Sequence, residues 1–192
     1  MWPIGDDVVR DYGKNYAVVL DKMSQQWEAK LTDKERQEIG NYTASGYISI
    51  NSYLRGEMGA GNEHYNSKVK QIDSAINKAT TPPPPELVWR GVNYYSAASM
   101  NAGDVVTLKG FQSTSARPTF AHDWGTTLFE IKPAKGAYVK AASSHPHEAE
   151  YLLPHGAQYR VRGRTTIKIK NMHSYGESKP REATVIQLEM LK

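Results

Sequence analysis

His145-Pro-His-Glu-Ala-Glu-Tyr-Leu-Leu-Pro-His155 is the stretch around which the rest of the chain is organised. Two carboxylates, Glu148 and Glu150, are separated by one residue and stand just before a short apolar run, Tyr151-Leu-Leu153. Because successive side chains of a strand point to opposite faces, a strand here sends both carboxylates to the same face. Like charges this close repel each other, so the pair indicates either a solvated strand edge or a site that uses both groups.

Composition places the chain among soluble globular proteins, since 39% of its 192 residues are hydrophobic and 23% are charged. Cysteine is absent, which excludes disulfides, thiol catalysis and thiolate metal sites. No apolar run has the length of a membrane span, so no membrane partner is expected. Residues 1–13 lack the basic-then-apolar pattern of a secretory signal, which leaves dedicated delivery machinery or a removed leader as routes out of the cell.

Charge is unevenly distributed over the chain, whose formal net charge is +4. Residues 1–85 carry 10 basic and 11 acidic side chains, whereas residues 86–192 carry 14 and 9. The basic second half suits an anionic ligand or an acidic partner, without choosing between a nucleotide, a protein and a nucleic acid.

The first half of the chain has the periodicity of amphipathic helices. The pattern predicts helices over 6–20 and 66–79, and the capping box Thr32-Asp-Lys-Glu35 predicts a helix that starts at Thr32. A further helix over 47–55 is predicted to end at Gly56.

The second half has the pattern of strands, and it follows a polyproline spacer, Pro82–Pro85, that no helix or central strand can cross. The predicted strands cover 87–92, 104–108, 111–115, 126–132, 137–140, 149–153, 159–170 and 184–191. Alternation in the longest strand predicts that one face carries Tyr159, Val161, Thr165, Ile167 and Ile169. Gly163 within it predicts a bulge or a close approach. Helices followed by antiparallel strands indicate an α+β protein.

Two further motifs admit both a structural and a functional interpretation. Arg90 interrupts an apolar strand, where it can form an ion pair with a glutamate or hold a phosphate or carboxylate. The run Ser113-Thr114-Ser115 ends a strand, where it can satisfy turn backbone groups or position a ligand and a neighbouring carboxylate.

Three histidines around the carboxylates raise the alternative of a metal site. His145, His147 and His155, together with Glu150, supply ligand types that suit zinc or iron. Their spacing matches no strong ligand signature, and Pro146 between the first two indicates a turn. The sequence therefore predicts loop histidines and no bound metal.

The order of the motifs resembles the arginine–serine–glutamate class of bacterial mono-ADP-ribosyltransferase toxins. That class places an arginine on a strand after a helical lobe, followed by Phe-x-Ser-Thr-Ser and Glu-x-Glu, as at Arg90, 111–115 and 148–150 here. The segment 42–56 is similar to the helix before the core of the binary actin-modifying, vegetative insecticidal and Rho-modifying toxins, and the segments 136–138 and 150–156 are similar to the binary-toxin enzymes. The resemblance therefore extends from Tyr42 to Val161.

This resemblance implies one ADP-ribosyltransferase catalytic domain over 1–192. A helical lobe in 1–81 would precede a two-sheet antiparallel β core in 86–192, around a cleft for NAD. NAD is implied as the co-substrate, and no metal is implied.

The resemblance also implies roles for individual residues. Glu150 is implied as the catalytic carboxylate, and Glu148 as the carboxylate on the side of the protein substrate. Arg90 is implied to bind the NAD phosphates, and Ser113 to contact the nicotinamide ribose and Glu150. The other residues implied to contact NAD or support its site are Gly91, Thr114, Ser115, Tyr42, Tyr47, Asn51, Arg55 and Phe120.

These residue types suit the implied chemistry. Cleavage of the bond between nicotinamide and ribose develops positive charge on the sugar, which a carboxylate such as Glu150 stabilises. A second carboxylate, Glu148, can orient an arginine guanidinium and help to remove its proton. In this family Glu-x-Glu accompanies arginine acceptors and Gln-x-Glu accompanies asparagine or glutamine, so the resemblance implies arginine modification.

Two loops depart from the toxins, and both departures concern the target. His145 stands where the family often has an aromatic residue that reaches the protein target, and the loop 116–124 is shorter, although Phe120 or Trp124 can still stack on nicotinamide. Actin is the single target that the resemblance favours, with a secreted or delivered effector and an immunity protein as further expectations. The alternatives are NAD hydrolysis, nucleic-acid modification, or an inactive NAD- or metal-binding module.

Overall fold

Helices occupy the first part of the chain, as the sequence predicts. The computed structural model describes residues 14–79, 86–93, 97, 99–169 and 181–191. The helices of the first half are α1 (Lys14–Glu28), α2 (Asp33–Asn41), α3 (Tyr47–Arg55) and α4 (Glu63–Asn77), with a π-helical turn, Tyr42–Gly46, joining α2 to α3. Residues 6–13 of the first predicted helix lie outside the described residues, as do Pro82–Pro85 and Lys170. In the described ranges, no helix combines the length and apolar character needed to cross a membrane.

Side-chain caps explain where these helices begin and end. The capping box at the start of α2 is confirmed, because Thr32 and Glu35 each accept a hydrogen bond from the other's backbone N–H. Gly56 follows α3 with a left-handed φ of 84°, as predicted. Helix α4 begins three residues earlier than predicted, since the side chain of Asn62 caps the N–H groups of His64 and Tyr65.

Helix α1 continues to Glu28, beyond its predicted end at residue 20. The buried face extends through Leu20, Ser24 and Trp27. The hydroxyl of Ser24 donates a hydrogen bond to the carbonyl of Tyr138, and the indole of Trp27 donates one to the carbonyl of Ala75. The first bond fixes α1 against the edge of the sheet and the second fixes it against α4, and sequence periodicity alone reveals neither contact.

All described strands belong to one sheet. They are β1 (Val88–Val92), β2 (Val105–Leu108), β3 (Gln112–Ser115), β4 (Thr127–Lys132), β5 (Ala137–Tyr138), β6 (Glu150–Leu153), β7 (Ala157–Ile169) and β8 (Arg181–Met190). Their order in the sheet is β2-β7-β8-β4-β1-β3-β6-β5. Each predicted strand overlaps one of them, which confirms the α+β class.

Two details of the implied β core differ from the structure. The core is one sheet, in which a single residue pair, Trp89 with Ser115, joins the β1 and β3 sides where two sheets were expected. The sheet is also mixed, because β4 and β8 run parallel. Parallel neighbours need a long connection, and the chain between Lys132 and Arg181 provides it by contributing β5, β6 and β7 on the way.

A bulge in β7 divides the apolar residues of that strand between two cores. The pairing of β7 with β8 shifts register between Val161 and Gly163, as the glycine predicts. Tyr159 therefore packs in the main core with Met190, whereas Ile167 and Ile169 pack in a smaller core on the opposite face. The expectation that these residues share one face is wrong, since one extra residue reverses the alternation beyond it.

The two larger hydrophobic cores place the helices against the sheet. One core contains sheet residues such as Phe129 and Ile186. The other contains Trp27 and Ile72 from the helices together with Phe111, immediately before β3, and Leu152 of β6. The end of the sheet that carries residues 111–115 and 150–153 is therefore held directly by the helical lobe.

Candidate active site

A cavity of about 280 Å³ opens between α3, β1, β3 and the segments 118–124 and 145–150. Every predicted site residue except Tyr42 and Arg55 lines it: Tyr47, Asn51, Arg90, Gly91, Ser113, Thr114, Ser115, Phe120, Glu148 and Glu150. Residues separated by more than one hundred positions in the chain thus converge on one site. The other lining residues are Thr43, Ala44, Trp89, Ala121, Trp124 and His145.

Glu150 is the buried carboxylate of this cavity, with 5% of its surface exposed. Burial is the largest cause that raises the pKa of Glu150, and together with the negative charge of Glu148 it brings that pKa to about 7. A hydrogen bond from Ser113 and the positive charge of Arg90 act in the opposite direction, because both stabilise the ionised carboxylate. The site therefore holds an acid whose protonation changes near neutral pH.

Glu148 reaches the same cavity by a route that the sequence does not predict. Strand β6 begins at Glu150, and Glu148 ends a 3-10 turn, Pro146–Glu148, so strand alternation does not align the two carboxylates. Ala149 between them adopts the left-handed conformation, with φ 50° and ψ 44°. A non-glycine residue in this region is uncommon and often marks a functional site. The backbone turn at Ala149 brings both side chains to one cavity.

The three hydroxyl residues at the end of β3 have different partners. Ser113 is hydrogen-bonded to the side chain of Glu150. Thr114 donates from its hydroxyl to the carbonyl of Tyr151, and Ser115 donates to the carbonyl of Glu148 at 2.8 Å. The run therefore contacts the side chain of Glu150 through Ser113 and the backbone of Glu148 through Ser115.

Arg90 fixes the neighbouring strand and retains hydrogen-bonding capacity for a ligand. Its Nη1 donates to the carbonyl of Ser113 at 2.6 Å. Its buried Nε has no hydrogen-bond partner among the described residues. The half-buried guanidinium lines the cavity, and its positive charge fits an anionic group such as a phosphate.

Tyr42 and Asn51 form a hydrogen-bonded support beneath the cavity. Tyr42 is fully buried and donates from its hydroxyl to the carbonyl of Phe111 at 3.3 Å. Asn51 donates from its amide to both the Tyr42 hydroxyl and the Phe111 carbonyl. Tyr42 is also hydrogen-bonded to Ser113, and burial raises the pKa of Tyr42 to about 12. Tyr42 thus lies behind the cavity surface and contacts its lining.

Arg55 lies outside the lining of the cavity. Its Nε donates to Glu57 at 2.6 Å, and its Nη2 donates to Ser52. Tyr47, at the other end of α3 from Arg55, lines the cavity with 44% of its surface exposed. Among the residues that the structure describes, Arg90 is the one Lys or Arg whose side chain lines the cavity.

The segment 118–124 covers the cavity from the other side. It consists of a short helix, α5 (Pro118–Ala121), and a 3-10 turn, His122–Trp124. The rings of Phe120 and Trp124 lie 6.1 Å apart and both line the cavity. At Gly91 a Cβ atom would come within 2.4 Å of the Ala121 carbonyl and 2.8 Å of the Trp124 Cβ. Only a glycine at position 91 allows this close approach.

The histidines do not gather around the carboxylates. His155 pairs with Asp73 of α4 at 3.0 Å and packs edge-on against Phe111, at 4.9 Å between ring centres. His145 lines the cavity, and the ring of His147 lies 6.0 Å from it. Within the described ranges, no three His, Asp or Glu side chains are grouped to hold a metal ion.

Sequence reasoning missed two features of the site. Thr43 belongs to the π-helical turn, and such turns are frequent at functional sites. Trp89 precedes Arg90 on β1 and lines the cavity, although strand alternation alone would direct it to the opposite face. No sequence pattern marks either residue.

The sequence comparisons identify the class of protein to which this fold and cavity belong. The profile of the ADP-ribosyltransferase exoenzyme family matches residues 21–192. The chain belongs to this family. NAD is the co-substrate of its members, and bacterial toxins are among them.

Two bacterial relatives align over most of the chain. The ADP-ribosyltransferase Vis of Vibrio splendidus is 28% identical over 176 residues, which cover 80% of this chain and 68% of Vis. The NAD(+)–arginine ADP-ribosyltransferase EFV of Enterococcus faecalis is 27% identical over 157 residues, which cover 72% of this chain and 30% of EFV. The chain therefore spans two thirds of one relative and less than a third of the other.

Solved toxin structures have the same fold. Plx2a of Paenibacillus larvae has a TM-score of 0.70 at 22% identity, with 93% of this chain and 96% of Plx2a covered. The C2-I component of the Clostridium botulinum C2 toxin has a TM-score of 0.73 at 19% identity, with 91% and 46% covered. The Clostridium perfringens toxin BECa, solved with NADH, has a TM-score of 0.71 at 22% identity, with 92% and 48% covered.

Vis has also been solved with agmatine, a small guanidine. That structure has a TM-score of 0.67 at 22% identity and covers 100% of this chain and 88% of the Vis chain.

Proposed function

We propose that this chain transfers ADP-ribose from NAD to an arginine of a target protein and releases nicotinamide. The observation that carries the proposal is the convergence of Glu148, Glu150, Ser113 and Arg90 on one cavity. The arginine specificity is supported by the two carboxylates, by the name of EFV and by the agmatine complex of Vis.

Arg90 and Ser113 would hold NAD in the cavity. The guanidinium of Arg90 lines the cavity and suits the pyrophosphate, and Ser113 lies beside Glu150, where the nicotinamide ribose would reach both. Bound there, NAD supplies a nicotinamide that leaves with the electron pair of its bond to the ribose. Phe120 and Trp124 offer aromatic faces to the ring that leaves.

Glu150 would stabilise the positive charge that develops on the ribose. A buried carboxylate interacts strongly with such a charge, because little water screens it. Its interaction grows as the charge appears, so it lowers the barrier more than it strengthens ground-state binding.

Glu148 would act on the acceptor. It is less buried than Glu150, and Ser115 holds its backbone in place. A guanidinium paired with Glu148 attacks the ribose through one nitrogen, and the proton lost from that nitrogen passes to the carboxylate. Tyr47 and His145 line the cavity as well and would border the acceptor.

Two single substitutions test the proposal, with labelled NAD as donor and agmatine as acceptor. Glu150→Gln is expected to reduce both transfer and NAD hydrolysis by at least about a hundredfold, the scale on which a charge-stabilising group acts. Glu148→Gln is expected to reduce transfer by a similar factor and to retain NAD hydrolysis, because water can still accept the ADP-ribose when the guanidine is not activated. Glu182→Gln, on the exposed side of β8, is the matched control and is expected to behave like the wild type. Full activity of Glu150→Gln contradicts the proposal.

We propose actin as the first target to test, with the chain acting as a toxin or effector delivered into another cell. Actin is favoured by the resemblance of segments 136–138 and 150–156 to the binary actin-modifying toxins. A role as a toxin is supported by C2-I, the enzymatic component of a toxin, whose fold matches that of this chain. Modification of nucleic acid receives less support, because Arg162 on the basic strand β7 already pairs with Glu189. Nuclease-sensitive label in a lysate would reverse this preference, and capture from the producing cell tests for an immunity protein.

A further inference from the structure

A row of cross-strand neighbours runs from the far side of the sheet to Glu150. Gly163 on β7 pairs with Gln187 on β8, which pairs with Glu130 on β4. Glu130 pairs with Trp89 on β1. Trp89 in turn pairs with Ser115, and Ser115 pairs with Glu150. Neighbours of this kind lie about 5 Å apart, so six strands are linked by direct side-by-side contact.

Glu130 is the unexplained member of this row. It lies in the middle of the sheet with 4% of its surface exposed, and it does not line the cavity. Burial raises its pKa. Burying a carboxyl group costs stability unless its oxygens are hydrogen-bonded, and an apolar residue of similar size often stabilises a core more. Its presence therefore calls for a role other than stability.

The hydrogen bonds of Glu130 connect it to the cavity. The amide of Gln187 donates to its Oε1 at 2.9 Å, and both side chains are buried. The side chain of Trp89 is also hydrogen-bonded to the carboxyl group, and the indole N–H is the one donor that a tryptophan has. Trp89 is 5% exposed and lines the cavity beside Arg90. The carboxyl group thus sets the orientation of an indole ring in the wall of the site.

Gly163 allows the other end of the row to form. A Cβ atom at this position would lie 3.0 Å from Oε1 of Gln187, which is closer than an ordinary contact. A larger residue would push the carboxamide and disturb the bond that its amide donates to Glu130. The bulge that contains Gly163 is therefore linked to the cavity through two buried polar side chains.

We propose that Glu130 is a positioning residue for NAD binding: it holds Trp89 in the wall of the cavity, and Gln187 and Gly163 hold Glu130. This inference rests on the proposed function, since it takes the dinucleotide as the ligand of the cavity. Glu130, Gln187 and Gly163 add affinity for NAD without contacting it, because a wall fixed in advance loses less freedom when the ligand binds.

Titration calorimetry with NADH, which is not cleaved in the reaction, tests the inference on the full chain. Glu130→Gln keeps the shape of the side chain but leaves one of its two donors without a good acceptor, and we expect its Kd for NADH to rise about tenfold. Gly163→Ala, two strands away from Glu130, is expected to raise the Kd about threefold. Glu182→Gln is the control with an unchanged Kd. Urea unfolding of each variant verifies that it remains folded at the titration temperature.

A double-mutant cycle separates positioning from general destabilisation. In the background of Trp89→Phe, which has no indole N–H, Glu130→Gln is expected to cause no further rise in the Kd. Additive effects of Glu130→Gln and Trp89→Phe, or a wild-type Kd in folded Glu130→Gln and Gly163→Ala, overturn the inference while leaving the proposed function intact. Failure of the wild type to bind NADH and to consume NAD overturns both. If Glu130→Gln does not fold, the Kd of Gly163→Ala decides.

Discussion

At the scale of single residues, the site depends on the balance of forces around Glu150. Burial and the neighbouring Glu148 favour its protonated form, whereas Ser113 and Arg90 favour the carboxylate. The result is a pKa of about 7, close to the pH at which cells operate. Small changes around the carboxyl group therefore change the fraction that is ionised and able to stabilise a cation.

The pH dependence of NAD hydrolysis follows from this balance. If the carboxylate is the active form, kcat/KM rises with pH up to about 7 and then becomes constant, because this ratio reports ionisation in the free enzyme. Glu148→Gln removes a charge that raises the pKa of Glu150, so its inflection moves to lower pH. Ser113→Ala removes a hydrogen bond that lowers this pKa, so its inflection moves to higher pH. Hydrolysis rates from pH 5 to 9 measure both shifts, and shifts in the same direction contradict the assignment.

The residue types of the site were predictable, but their partners were not. The sequence indicated Arg90 and Ser113 as ligand-binding candidates, and the structure places both on the cavity. It could not indicate that Arg55 pairs with Glu57 two residues later, since an exposed arginine has several partners within reach. The position of Tyr42 behind the cavity was not predictable either, because helix periodicity does not say which buried residues adjoin the site.

At the scale of secondary-structure elements, the segment 118–124 determines the width of the cavity. It packs directly on β1 because Gly91 has no side chain, and its aromatic residues Phe120 and Trp124 line the cavity at that point. The close contact between a backbone carbonyl and β1 leaves no space for even one methyl group.

Gly91→Ala is expected to displace this segment and weaken NAD binding about tenfold or more. A new Cβ atom within 2.4 Å of the Ala121 carbonyl cannot be accommodated without backbone movement. Overpacking of this kind costs about 1–3 kcal/mol in stability. Urea unfolding and the KM for NAD measure the two effects.

Gly40→Ala is the matched control for this prediction. Gly40 lies in α2, where the nearest backbone atom would be 3.6 Å from a new Cβ atom. Alanine has the higher helix propensity, so this variant is expected to be more stable than the wild type by about 0.5–1 kcal/mol with an unchanged KM. Equal KM values for the two variants would contradict the role given to Gly91.

Local sequence patterns predicted the elements well wherever a residue caps a helix or side chains alternate along a strand. The capping box at Thr32, the C-terminal glycine of α3 and the bulge at Gly163 were all visible in the sequence. The side of the sheet to which Ile167 and Ile169 point was not, because it depends on how many residues the bulge inserts.

At the scale of the whole molecule, the helical lobe and the sheet share a core. Trp27 and Ile72 from the helices pack with Phe111, which immediately precedes the strand of Ser113, and with Leu152 of the strand that carries Glu150. We propose that the chain forms one catalytic unit on this basis. Removing the helices would expose the apolar side of β3 and β6 and release the support that Tyr42 and Asn51 give to Phe111.

A single cooperative unfolding transition is the expected consequence. Urea unfolding followed by tryptophan fluorescence and by far-ultraviolet circular dichroism is expected to give the same midpoint, because the helices and the sheet lose their shared core together. Two separated transitions, with the helical signal lost first, would show instead that the lobe and the β core are independent units.

Sequence patterns predicted the class of the elements and their order, because helix and strand periodicity and caps depend on local chemistry. Arg90, Ser113 and the carboxylate pair were candidates by residue type, whereas most of the other residues that line the cavity were implied by the resemblance to the toxin family. The tertiary structure alone decided that Glu148 reaches the cavity through the left-handed turn at Ala149, and that Glu130 and Trp89 connect the far strands to Glu150. Cross-strand contacts join residues distant in the chain, and no short-range pattern in the sequence contains that information.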